Sequence, residues 1–300
     1  MRVLGASEAG TALVLLALGA AVAASPGEAR AEAVFDAEAG LLHDNNLSRA
    51  VSASDIVSDT AATLSGSGGY RFAPGDRDAL TLTGDLRAAA FSRFHGLNNA
   101  GLGGTASWSR KFGLGALAPW IRLSASLAGE RYGEDARDGR RAIVALRAGQ
   151  RLSESLQLSG GGSYERYDAS NATAVVPGIS GDAFSLQGRT LFARADYALD
   201  DRWSAFGGVA ARFGDVTAST RLNFQIFQYS NAIARDPAFG GDYIAYRLSG
   251  TTTWDFIAGV SLALGDSSSI NLGVTRALTY AADDIEYQDT RINASLIFSY

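Results

Sequence analysis

Residues 79–91 read Ala-Leu-Thr-Leu-Thr-Gly-Asp-Leu-Arg-Ala-Ala-Ala-Phe. Leu80, Leu82, Leu86, Ala88 and Ala90 fall at even positions; Thr81, Thr83, Asp85 and Arg87 fall at odd ones. Successive side chains of a strand point to opposite faces, so this stretch reads as a strand with one apolar and one polar face. A helix would scatter the same leucines around its circumference.

The alternation recurs on both sides of this stretch. It is found at 34–43, 59–72, 101–112, 117–132, 140–152 and 156–167, then at 187–199, 203–214, 243–264, 270–280 and 288–300. Together these predict about twelve strands. Arg276 falls on an apolar face, and Phe192 and Phe206 fall on polar ones, which marks bulges or rim positions. The links alternate in length. Those at 44–57, 168–185 and 215–242 are long; those after 73, 113, 153, 200 and 265 are tight and rich in Gly, Asp, Pro and Ser. Link 215–242 carries Phe224, Ile226, Phe227, Tyr229, Ile233 and Phe239, too apolar for free solvent. Folding inward as a constriction and contact with lipopolysaccharide are open to it. A hairpin extension is favoured, because Arg221 to Tyr229 also alternates.

The composition agrees with strands wetted differently on their two faces. Of 300 residues 47% are hydrophobic and only 19% charged. Mean hydropathy is +0.03, yet only one long apolar run exists, at 11–24. That run is shorter than the roughly 20 residues of a spanning helix. Arg2 precedes it, and Ser25-Pro26-Gly27 and Ala29-Arg30-Ala31 follow, the order of a secretory signal peptide cleaved after Ala31, with Ala23 as the other position. Residues 1–31 are thus read as the signal and 32–300 as one domain. The first strand follows directly, so no passenger domain is expected. There is no Cys, which excludes disulfides, thiolate metal sites and a Cys nucleophile. The net charge of -5 argues against nucleic acid as a partner. No metal or cofactor motif is present.

Strand length separates the folds that use many amphipathic strands. Soluble strands average 5–6 residues. The predicted ones run about 10–13, near the 9–11 that cross a bilayer at a tilt. An even count, and short turns alternating with longer loops, fit an all-β antiparallel transmembrane barrel. Phe72, Phe112, Trp203 and Trp254 lie beside the predicted short turns, where an interfacial girdle belongs. The last strand ends on Tyr300, with Phe298, Leu296 and Ala294 at alternate positions. This resembles the terminal strand of Gram-negative outer-membrane β-barrel proteins. The resemblance implies a bacterial outer-membrane location, lipid and lipopolysaccharide as surroundings, and recognition of the strand ending in Tyr300 by the barrel-assembly machinery.

Parity assigns the inward charges. The basic ones include Arg71, Arg87, Arg93, Arg122, Arg147, Arg151, Arg194, Arg212 and Arg291; the acidic ones include Asp85, Glu130 and Glu165. Such a lumen serves either a narrow pore for small polar or anionic solutes or an ion-pair network that stiffens a structural barrel. The rival class is a lipid hydrolase, which needs a His–Ser pair at the outer rim. The two histidines, His43 and His95, both fall at predicted outer strand ends, with Ser48 and Ser92 near them in sequence.

Overall fold

The computed structural model describes residues 30–300. The predicted signal segment lies outside them except for Arg30 and Ala31, which open the first strand. The described strands are β1 (Arg30–Asp44), β2 (Asp59–Ala73), β3 (Asp78–Phe91), β4 (Asn99–Lys111), β5 (Trp120–Tyr132), β6 (Gly139–Arg151) and β7 (Leu156–Ala169). They continue with β8 (Leu186–Ala198), β9 (Trp203–Thr220), β10 (Ser230–Arg235), β11 (Ile244–Ala263), β12 (Ser268–Tyr280) and β13 (Glu286–Ser299). One short helix, α1 (Phe224–Gln228), precedes β10.

Consecutive strands pair antiparallel from β1 to β9, β9 pairs directly with β11, and β13 returns to β1 from Asp36↔Ser299 to Asp44↔Arg291. Twelve strands therefore close the wall, and β10 stands outside it. Closure lets every wall strand pair on both sides, which a hydrocarbon solvent demands. The register keeps each face continuous from strand to strand: Leu86 stands opposite Leu102 on the outer face, and Asp85 opposite Gly103 on the inner one. The apolar face is the exposed one, with Leu102 73%, Leu191 61% and Leu64 50% accessible. A closed barrel whose large apolar side chains point outward all round is solvated there by lipid.

Short links, at 74–77, 112–119, 152–155, 199–202 and 264–267, gather at one end. Links 45–58, 92–98, 133–138, 170–185, 221–243 and 281–285 gather at the other, which is the outer end by the rule of short periplasmic turns and longer external loops.

The expected hairpin extension forms in part. The outer end of β9 pairs with β11 from Thr220↔Ile244 to Val216↔Leu248. β12 ends at Tyr280, opposite Thr252, and β10 takes the vacated edge of β11 through Ile233↔Tyr246 and Arg235↔Ile244. A bulge between Leu248 and Thr251 marks this level, and Gly250 there adopts φ 70°, a left-handed conformation that costs glycine little. Arg221–Tyr229, however, does not continue the strand. Asn223 accepts the Ile226 N–H at 3.1 Å and caps α1, so a local side-chain bond overrides a short alternation.

The residues that broke parity have physical reasons. Phe192 and Phe206 do face inward, where Arg147 lies over the first ring and Arg194 over the second. Gly259 stands opposite Phe206, and a Cβ there would lie 2.3 Å from the ring, so the glycine makes room for it. Arg276 does face outward, near the outer end of β12, and is satisfied by Thr290 Oγ1 at 2.7 Å and by the Gln288 side chain.

Candidate functional site

The outer links meet over the mouth of the barrel. Ile226 of α1, Ile233 of β10 and Ile285 of link 281–285 pack with Val216, Tyr246 and Leu248 of the strand extension. Ala183 and Phe184 pack on Ala232, Ala234 and Ala245; Leu97 packs on Ala238, Phe239 and Tyr243. These apolar clusters form the interior of a roof.

Charges hold the roof to the wall. Asp236, at 0% exposure, accepts from Arg137 Nη2 at 2.6 Å and from the Ser219 hydroxyl. The Arg137 guanidinium lies 4.4 Å from the Phe184 ring centre and 5.8 Å from that of Phe239. Asp55 accepts from the Thr220 hydroxyl and from Arg221 Nη1 at 3.0 Å, while Arg221 Nε donates to Asp242 at 2.7 Å. The bond from Arg221 holds the Asp242 carboxyl below its ordinary value. The Arg221–Asp242 bond is therefore whole at neutral pH and is lost only as acid takes the pH below the usual aspartate range.

Beneath the roof lies a cavity of about 440 Å³. Its lining carries Arg49, Arg137, Arg141, Arg212 and Arg291 against Glu165, Asp215, Asp255 and Asp289, with Tyr132 and Tyr167. On one wall Glu130 is buried and accepts from Arg141 Nε at 2.7 Å, Arg141 Nη2 at 3.0 Å and the Tyr132 hydroxyl at 3.2 Å. Arg87 approaches it to 3.3 Å, and Arg141 also pairs with Glu165. On the opposite side of the sheet order, Arg291 bridges Asp255 at 2.5 Å and Asp289 at 3.1 Å. Arg212 Nη1 donates to the Asp215 carbonyl at 2.7 Å. Charges paired from strand to strand stiffen a polar lumen without filling it.

Towards the short turns the balance changes. A second cavity, of about 420 Å³, is lined by Asp36, Glu38, Asp85 and Arg87. Asp85 accepts from Thr83 at 2.8 Å and Thr105 at 2.6 Å. Arg122 and Arg147 stand directly opposite each other on β5 and β6, both exposed on the inward face. Among the described residues neither forms an ion pair. Arg122 lies 6.0 Å from the Trp120 ring centre and Arg147 5.1 Å from that of Phe192. Like charges opposed across strands repel, and aromatic faces offset only part of that cost. Arg194 is held differently, 4.2 Å from the Phe206 ring centre and 2.7 Å from Asp196. Arg71 pairs at 3.4 Å with Glu32.

Of the residues read from sequence, Arg71, Asp85, Arg87, Arg122, Glu130, Arg147, Arg151, Glu165, Arg194, Arg212 and Arg291 stand on the inward register of the wall. Only some are brought together: Arg87, Glu130 and Glu165 share one network through Arg141. Arg93 is a correction. It lies past the end of β3 in link 92–98, exposed, its guanidinium 5.2 Å from the Phe94 ring centre, because the strand stops at Phe91. Trp254 is a second correction. Phe72, Phe112, Trp203 and Tyr300 do stand at the short-turn end, but Trp254 faces Leu278 near the outer end of β12. The long β11 extends past its neighbour, which moves Trp254 to the other rim. Arg141 was overlooked although it shares parity with Arg147 and Arg151. Arg49, Arg137 and Asp236 sit outside the wall strands of the barrel and carried no periodic signal.

His43 Nδ1 is 3.0 Å from Thr60 Oγ1, and His95 Nδ1 is 3.0 Å from the Phe91 carbonyl. Among the described residues neither hydrogen-bonds a serine or an aspartate.

The COG4313 outer membrane channel from Pseudomonas putida F1 is similar, with a TM-score of 0.54 at 13% identity over 92% of this chain and 96% of that one. The chain is an outer-membrane β-barrel. Weaker likenesses include the β domain of the Bordetella autotransporter BrkA, with a TM-score of 0.48 at 13% identity over 89% of this chain and 99% of that one. The KdgM porin in complex with oligogalacturonate scores 0.44 at 11% identity over 89% and 99% of the two chains. No family model and no curated protein matches the barrel. The fold and the continuous apolar belt of the barrel put it in the bacterial outer membrane.

Proposed function

We propose that this barrel is a roofed, porin-like channel for small polar solutes, with a preference for anions. The observation that carries the reading is the Arg122–Arg147 pair, facing the lumen without a carboxylate partner. Rings of basic side chains select anions in other pores. Polar cavities of about 440 and 420 Å³ support a wetted path rather than a packed interior. The COG4313 barrel, similar in fold, is by its description an outer membrane channel.

The test is conductance in planar bilayers under a salt gradient. The wild-type barrel is expected to give a reversal potential on the anion side, and Arg122→Glu with Arg147→Glu to move it to the cation side. Silence of both the wild type and the Asp236→Ala variant, which frees Arg137 from the roof, would overturn the proposal.

Two features of assembly belong to the same reading. β13 ends beside the closing seam and carries Ile292, Leu296 and Phe298 outward, which supports its strand as the segment taken by the assembly machinery. Signal cleavage after Ala31 would trim two residues from β1, whereas cleavage after Ala23 would leave the strand whole.

A further inference from the structure

The apolar belt ends abruptly on one side of the barrel. Going outward along the lipid face of β5, β6, β7 and β8, the first charged residue on each strand is an arginine: Arg131, Arg140, Arg166 and Arg189. The register makes them neighbours. Arg140 faces Gly129 and Asp168, Arg166 faces Ala142, and Arg189 faces Tyr164. Each step to the next strand also moves two residues along it, so the four form a diagonal row that spans about 24 Å of the wall. Arg131 is 82% exposed, and Arg140 and Arg189 are exposed too. Two aspartates meet the patch: Asp138 at 2.7 Å from Arg131, and Asp168 at 2.8 Å from Arg166. Glu134 and Asp135 stand in the link above.

Elsewhere the belt ends on neutral side chains, such as Ala90, Ala100, Phe213 and Thr290, apart from Arg276. A charge on the lipid face costs roughly 2–4 kcal/mol at mid-bilayer but close to nothing at the interface. Four arginines at one level thus mark the headgroup depth of the outer leaflet.

A groove adjoins them. Outward-facing Ala62, Ala88, Ala90 and Ala100, with Leu64, leave an apolar hollow of about 530 Å³ on β2–β4, and Arg131 stands at its edge. Small side chains on three neighbouring strands make room for a hydrocarbon tail next to a cationic rim.

We propose that this face binds an outer-leaflet glycolipid bearing phosphate groups, its phosphates on Arg131, Arg140, Arg166 and Arg189 and one acyl chain in the alanine groove. Guanidinium and phosphate match in charge and in bidentate geometry.

The experiment uses the purified full barrel in detergent and native mass spectrometry with bisphosphorylated lipid A. Wild type should retain this lipid and lose at least about tenfold in affinity for the dephosphorylated form. Arg140→Gln with Arg189→Gln should lose a similar factor, and Ala88→Leu with Ala100→Leu, which fills the groove, should weaken binding of both forms. Arg276→Gln, off the patch, should bind as wild type. Heat-modifiable gel mobility checks that each variant is folded. Equal retention of phosphorylated and dephosphorylated lipid, or equal retention by wild type and the folded Arg140/Arg189 variant, overturns the proposal. Conductance plays no part in this readout, so it stands or falls apart from the channel.

Discussion

Asp236→Ala is expected to unroof the barrel. Its carboxylate is fully buried and holds Arg137 at 2.6 Å, close to the rings of Phe184 and Phe239. Removing it strands a guanidinium that is only 18% exposed. Breaking a buried pair from one side costs about 3–5 kcal/mol, more than a local cluster of alanines and a few larger side chains is expected to carry in reserve. Channel conductance should rise severalfold, and link 221–243 should become open to proteases, while heat-modifiable mobility persists. The pair itself is under-satisfied, since Asp236 Oδ1 and Arg137 Nε lack partners among the described residues. Replacing both members by apolar residues, Asp236→Leu with Arg137→Met, should therefore keep the roof closed. Unchanged conductance and unchanged protection in the single variant would remove the roof from any gating role.

Glu130→Ala should strike the wall rather than the roof. Glu130 neutralises Arg141 and Arg87 together, and is itself buried. Without it Arg87 loses its ion pair and Arg141 keeps only Glu165. The expected loss is about 3 kcal/mol, at the lower end for a stranded charge, because the cavity hydrates these arginines. The temperature at which the barrel loses its compact gel mobility should fall by several degrees, and the reversal potential should shift further towards anions. Glu130→Gln, which keeps acceptor and shape but not charge, should fall between. A variant with wild-type melting and selectivity would mean that the network adds nothing to the wall.

The wall was legible in the sequence because a barrel strand has two solvents. Lipid on one side and a polar lumen on the other force period two, so parity alone put Arg87, Glu130 and Arg291 inside and Leu86 and Leu296 outside. Parity gives the face but not the height. Trp254 was assigned the right face and the wrong rim, since β11 outruns β12 by the whole roof extension. The roof left no such trace. Arg137 meets Asp236 from 99 residues away, and Arg221 meets Asp55 from 166, and nothing periodic joins links that touch only in three dimensions. The patch of Arg131, Arg140, Arg166 and Arg189 was readable strand by strand, but it becomes one surface only when the register aligns four strands.

The edge of β11 that β10 covers has a consequence for the order of folding. β9, β10 and β11 are consecutive in the chain, so the frame of the roof is built from local contacts, the fast kind. The seam is the reverse. It joins β1 to β13, and one of its latches, Asn46 Nδ2 on the Gln288 carbonyl at 3.0 Å, connects residues 242 positions apart. Loop-closure entropy makes such contacts late. The frame of the roof is thus expected to form while the wall is still an open sheet, so that the barrel closes around an outer end already half built.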